Sequence, residues 1–111
     1  MLSPKGGRYK SLCAPFDGVV VRAQAHIIFR GLVQGVNFRA HCRGHALGLG
    51  LTGWVRNRED GSVEAVFEGD RAEIEDAIAW NRKSQPHAEV SGLEVRWSSA
   101  SGEFRTFEIR R

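Results

Sequence analysis

The sequence predicts an α+β domain in which one antiparallel sheet carries two helices on a single face. Three observations predict it: several segments alternate apolar and polar residues with the period of a strand, two segments between them repeat every three to four residues, and cap or turn residues mark the junctions. The chain has 111 residues, of which 41% are apolar and 26% charged. That length suits one compact core, and the composition is that of an ordinary globular domain.

Residues 1–21, beginning MLSPKGGRYKSLCAPFDG, mix Pro, Gly, Ser and Lys without sustained periodicity, and are expected to be a flexible extension of a domain spanning 22–111. From Arg22 the pattern becomes regular. Ala23, Ala25, Ile27 and Phe29 alternate with Gln24, His26 and Arg30, with Ile28 as the one apolar exception; this is a strand. The run 31–39 leads into a stretch where Phe38, Cys42, Ala46 and Leu49 share one side at helical spacing, with Gly48 and Gly50 to stop it. LTGWVRN (51–57) and SVEAVFE (62–68) read as two strands joined across Asp60-Gly61, a hairpin signal. Asp70 is placed to cap a second helix with Glu73 as its capping-box partner, and Ile74, Ala77 and Ile78 form the apolar stripe. Pro86 lies beyond that helix; Leu93, Val95 and Trp97 alternate in the next strand, and Phe107 and Ile109 in a short last one. The order β-α-β-β-α-β is that of ferredoxin-like domains, an architecture shared by enzymes, RNA binders and regulatory modules.

The formal net charge is +3, of which Lys5, Arg8 and Lys10 against Asp17 place +2 in the first 21 residues. The remaining surface lacks the clustered basic and aromatic residues that nucleic-acid binding needs. No apolar run is long enough to cross a membrane and no secretory signal is legible. Cys13 and Cys42, one in the extension and one on a helix, are expected to be reduced thiols. A cytoplasmic monomer is the expectation.

The segment Gly31-Leu32-Val33-Gln34-Gly35-Val36-Asn37-Phe38-Arg39 joins the first strand to the first helix. Glycines let successive N–H groups turn inward, and the helix start adds unpaired donors and positive dipole, the makings of a phosphate cradle. Arg39 is badly placed for the helix dipole yet well placed to clamp a dianion. On these grounds alone, an ordinary strand-to-helix loop with an exposed arginine is equally consistent.

The run GLVQGVNFR resembles the phosphate-loop signature of the acylphosphatase family, Gly-x-Val-Gln-Gly-Val-x-Phe-Arg. The family's second signature, Gly-Trp-Val-x-Asn-x-x-Asp-Gly-x-Val, is matched by residues 53–63, GWVRNREDGSV. PHAEV at 86–90 and FEIR at 107–110 extend the similarity over roughly 22–111. The resemblance implies hydrolysis of the carboxyl–phosphate bond of small acyl phosphates without metal or cofactor. It implies that Arg39 binds the phosphate, that Asn57 orients the attacking water, and that the backbone amides of Gln34, Gly35, Val36, Asn37, Phe38 and Arg39 hold the phosphoryl oxygens. Such chemistry needs mainly positioning and electrostatic stabilisation, because a carboxylate is a good leaving group. Asn37 departs from the family, whose members usually carry glycine or an aromatic residue there. Altered loop stability or substrate fit, without loss of activity, is expected. The alternative is a silent ferredoxin-like module that holds an anion or RNA.

Other chemistry-bearing side chains have simpler readings. His41 and His45 lie i, i+4 on a helix, but with His26 and His87 they make no closed metal-ligand set and read as surface or half-buried residues. Cys42 falls on an apolar stripe and reads as packing. Trp54, Trp80 and Trp97 sit in strand or helix patterns that predict partial burial, and Glu59 and Asp60 belong to the hairpin.

Overall fold

The computed structural model describes residues 21–111; the extension expected over 1–21, Cys13 included, lies outside them except for Val21. Its elements are strand β1 (Arg22–Leu32), helix α1 (Phe38–Gly48), strands β2 (Thr52–Asn57) and β3 (Val63–Asp70), helix α2 (Arg71–Lys83), and strands β4 (Glu89–Ser99) and β5 (Phe107–Arg110).

The strands form one sheet in the order β4-β1-β3-β2-β5. Four of them are antiparallel neighbours, in the ferredoxin-like arrangement. β5 then lies parallel to β2 at the far edge, so the complete sheet is mixed where a wholly antiparallel one was expected. The chain leaves β4 at one edge of the sheet and reaches the opposite edge before β5 begins. There Phe107 becomes fully buried and stacks on Phe67 with ring centroids 5.4 Å apart. Burial of that ring stabilises a four-residue strand that would be marginal alone.

Alternation along the strands separates two faces. Ala23, Ala25, Ile27 and Phe29 of β1, Val63, Ala65 and Phe67 of β3, and Val55 of β2 are buried in one core with Phe38, Cys42 and Ala46 of α1 and Ile74 and Ala77 of α2. Large and small residues pair across strands, Phe67 with Ala25 and Ile27 with Ala65, so bulky side chains face small ones within the layer. Ile28 faces the other way and is still only 6% exposed. Its cross-strand neighbours are Glu64 and Glu94, whose carboxylates pair with His26, Arg56 and Arg30 on the same face.

Both helix boundaries follow from local chemistry. Asp70 caps α2 by accepting from the Ala72 N–H at 3.0 Å. At the end of α1, Gly50 takes φ 74, the left-handed turn glycine permits.

Candidate active site

Two sequence features shape the β1–α1 loop. Gly31 sits at a bulge where the β1–β4 register shifts, with φ +124, and a Cβ there would lie 2.2 Å from the Glu89 carbonyl oxygen. Only glycine permits that approach, and after the register shift β1 keeps pairing with β4 through Gly31–Val90 and Leu32–Glu89 before the loop begins. Gly35 at φ 78 and Asn37 at φ 61 then place two left-handed residues on either side of Val36. Asn37 is the N-cap of α1 but makes no side-chain capping bond. Asparagine tolerates this conformation better than most residues, so the departure from glycine at 37 is accommodated by the backbone.

The loop is anchored from below by Val33 and Phe38, both buried, with Phe38 tilted on Phe29 at 5.1 Å between centroids. Above that anchor, the amides of residues 34–39 donate to no acceptor among the described residues. Six consecutive donors without an acceptor, around left-handed turns at a helix N-terminus, are an arrangement chemically suited to receive an anion, and the loop is called a cradle in that sense. Arg39, in the first turn of α1, is half-buried and has no acidic partner within ion-pair distance among the described residues.

Asn57 closes β2, paired in register with Val63 and half-buried. What brings the β2–β3 hairpin to the loop is the side chain of Gln34, whose amide donates to Arg58 O at 2.8 Å and Ser62 O at 2.9 Å. The sequence reading had assigned Gln34 only a backbone role. Its side chain ties the cradle to the residue following Asn57. The hairpin itself is stiffened by Asp60, which accepts from the Ser62 hydroxyl and amide. Those hydrogen bonds, with weaker contributions from Arg58 and Arg30, lower the Asp60 pKa to about 2.

A second tether went unread. Asn81 donates to Ala77 O, and Gln85 donates to Asn81 Oδ1 at 2.8 Å and to Phe38 O at 2.9 Å. Both side chains are buried. A signal existed, because 81 and 85 continue the spacing of Ile74, Ala77 and Ile78, and polar residues on an apolar stripe announce a buried network.

The remaining candidates take structural places. Cys42 is free and fully buried. Burial pushes its thiol far up, outweighing the opposing hydrogen bond with Asn81, so it is no nucleophile. His45 stacks on Trp80 at 4.3 Å and meets Asp76 at 3.2 Å; His26 meets Glu64 at 2.6 Å; His87 is exposed at φ 65. Among the described residues no group of three or more His, Cys, Asp or Glu side chains is placed to hold a metal ion. Trp54, Trp80 and Trp97 are each partly buried. Trp54 faces the helix-free side of the sheet, with the Arg56 and Arg110 guanidinium carbons 5.8 and 5.1 Å from its ring centre. That same side holds a hollow of about 470 Å³ lined by His26, Ile28, Arg56, Arg58, Glu64 and others, apart from the loop cradle. No helix among the described residues is long and apolar enough to cross a membrane.

Comparison with known proteins identifies the family. The family model described as Acylphosphatase matches residues 25–109. The acylphosphatase of Pelotomaculum thermopropionicum is 52% identical over 88 residues, covering 79% of this chain and 96% of that protein. That of Aeropyrum pernix is 53% identical over 88 residues, covering 78% and 87% respectively. The crystal structure of acylphosphatase from Bacillus subtilis superposes with a TM-score of 0.77 at 32% identity, covering 80% of this chain and 99% of that one. With the family model matching residues 25–109 and relatives about half identical over most of its length, the chain belongs to the acylphosphatase family.

Proposed function

We propose that the amides of residues 34–39 and the Arg39 guanidinium hold the phosphoryl group of a small acyl phosphate while Asn57 orients the water that attacks it. The protein hydrolyses the carboxyl–phosphate bond, giving a carboxylate and inorganic phosphate. The observation that supports these roles is the row of six unpaired loop amides beside an arginine with no acidic partner among the described residues. Such donors are preorganised, so they stabilise developing charge on the phosphoryl oxygens without reorganising at the moment of reaction.

The reaction asks for little else. The water oxygen attacks phosphorus opposite the acyl oxygen, and the P–O bond to the carboxylate breaks. A carboxylate is a weak base, so it departs without a proton from the enzyme. The Asn57 carbonyl accepts a hydrogen bond from one water hydrogen, and the other is directed to a phosphoryl oxygen. No step requires a metal ion, a cofactor or a covalent nucleophile, and the same reading makes the protein a cytoplasmic monomer with no nucleic-acid partner.

The test is steady-state hydrolysis of benzoyl phosphate in excess chelator. Turnover by the native chain that falls on the order of 10²-fold or more in both Arg39→Ala and Asn57→Ala supports the enzyme and both roles. A folded native protein that binds phosphate without turnover would instead identify an anion-binding module.

A further inference from the structure

The phosphate cradle has two ends, and different amide side chains hold them. Gln34 ties the loop to the hairpin. The helix end is held from 47 residues away by Gln85, just past the end of α2, which donates to Phe38 O at 2.9 Å. We infer that Gln85 is a positioning residue for the phosphate site, fixing the peptide that carries the Arg39 amide; the inference rests on Arg39 being part of the phosphate clamp.

The argument is geometric. Phe38 C=O and Arg39 N–H belong to one planar trans peptide and point in opposite directions. Holding the carbonyl therefore fixes the aim of the N–H, one of the six cradle donors, and the root of the Arg39 side chain with it. Gln85 is built for this task. It is 6% exposed, and its two amide hydrogens are both used, one on Phe38 O and one on Asn81 Oδ1. Its Oε1 is buried with no partner, so the donors alone orient the side chain. Reversing the amide would set Oε1 against two acceptor oxygens. Asn81 is held in turn by its own bond to Ala77 O at 2.8 Å, one turn back on α2. The chain Ala77–Asn81–Gln85–Phe38 thus references the cradle to the body of α2, independently of the hairpin that carries Asn57. Pro86 follows at once and stops α2 from continuing, which leaves Gln85 free to turn inward.

A tether on the phosphate side acts on the ground state and the transition state alike, so it appears in phosphate affinity and KM more than in kcat. Gln85→Met keeps the length and burial but removes both donors. Loss of a net hydrogen bond's worth of orientation predicts a roughly five- to tenfold weaker Kd for inorganic phosphate, read from the shifts of the loop amides in ¹⁵N spectra. KM for benzoyl phosphate rises by the same factor, and kcat stays within about twofold. The variant Gln85→Met/Asn81→Leu separates positioning from stability, because removing both partners of a buried polar pair restores stability. Its thermal midpoint recovers while phosphate affinity does not. Native affinity in folded Gln85→Met, or affinity that returns together with stability in the double variant, overturns the inference. If the native protein binds phosphate and never turns over, the enzymatic reading fails while the phosphate titration still decides for or against Gln85. If phosphate leaves the native loop amides unshifted, both fall.

Discussion

Arg39 and Arg56 lie in two regions that treat charge in opposite ways. In the β1–α1 loop, donors are left unpaired: six amides and the Arg39 guanidinium meet no acceptor or acid among the described residues. On the helix-free face of the sheet, charges compensate one another. Glu64 takes His26 at 2.6 Å and Arg56 at 2.7 Å, and Glu94 takes Arg30 at 2.7 Å. That face holds a hollow of about 470 Å³ whose carboxylates Glu64 and Glu94 are paired with neighbouring cations, although Arg96 on its wall has no ion pair among the described residues. Under the proposed reading the anion goes to the loop because donors without partners can receive it, which space alone does not provide.

The contrast is broken most decisively by exchanging equivalent truncations. Arg39→Ala is expected to lower kcat/KM for benzoyl phosphate by roughly 10²- to 10³-fold, whereas Arg56→Ala leaves it within about twofold. A comparable loss in Arg56→Ala would show that the open face takes part in the reaction. Next in size is Gly31→Ala, whose Cβ would meet backbone oxygen at 2.2 Å. It should lower stability by about 2–3 kcal/mol in urea unfolding and raise KM as well, because the same bulge lies just before the loop. Stability lost with KM intact would separate the bulge from the site.

The carboxylates of the open face sharpen the comparison through pH. Burial alone would raise the Glu64 and Glu68 pKa values. For Glu64 the His26 and Arg56 side chains outweigh burial; for Glu68 the Ser101 amide, the Gln24 amide side chain, the Gly102 amide and the Ser101 hydroxyl do so. Both carboxyls therefore titrate lower folded than unfolded. Their stabilisation is complete above the unfolded value of about 4.3 and is lost as pH falls through the lowered folded values. The urea midpoint should drop as pH falls below about 4.3, the unfolded value, and Glu68→Gln should flatten part of that drop. Glu68 is 1% exposed, and its replacement should cost about 1.5–3 kcal/mol at neutral pH. A flat native profile would mean that these bonds do not distinguish the ionised form.

The smallest expected change is at Asn37. Since asparagine tolerates the φ of 61 found there, Asn37→Gly should alter kcat/KM by less than about fivefold. A rise of orders of magnitude would show that the Asn37 side chain obstructs the cradle.

What could be read from the sequence was local. The period of β1, the Asp70 cap, the helical stripes and the spacing of GLVQGVNFR each reflect interactions within a few residues, so their residues suffice to announce them. Arg39 and Asn57 are proposed as site residues through two contiguous motifs, and the structure places both half-buried, Arg39 at the start of α1 and Asn57 at the end of β2. Gln34 was legible as a loop residue, but the two hairpin carbonyls that its side chain reaches are 24 and 28 residues away. Gln85 reaches 47 residues back, and nothing in its neighbourhood names Phe38 as its acceptor.

The sequence by itself determined which residues form strands, helices and the loop before α1, and which family the motifs resemble, because backbone preference and side-chain period act over one or two turns of chain. Only the tertiary structure decided that β5 runs parallel to β2, that Ile28 is covered on the open face, and that two amide side chains hold the cradle from opposite sides. Those outcomes depend on which distant carbonyls and rings come to lie within about 3–5 Å once the sheet has closed over its core, a condition that local pattern does not contain.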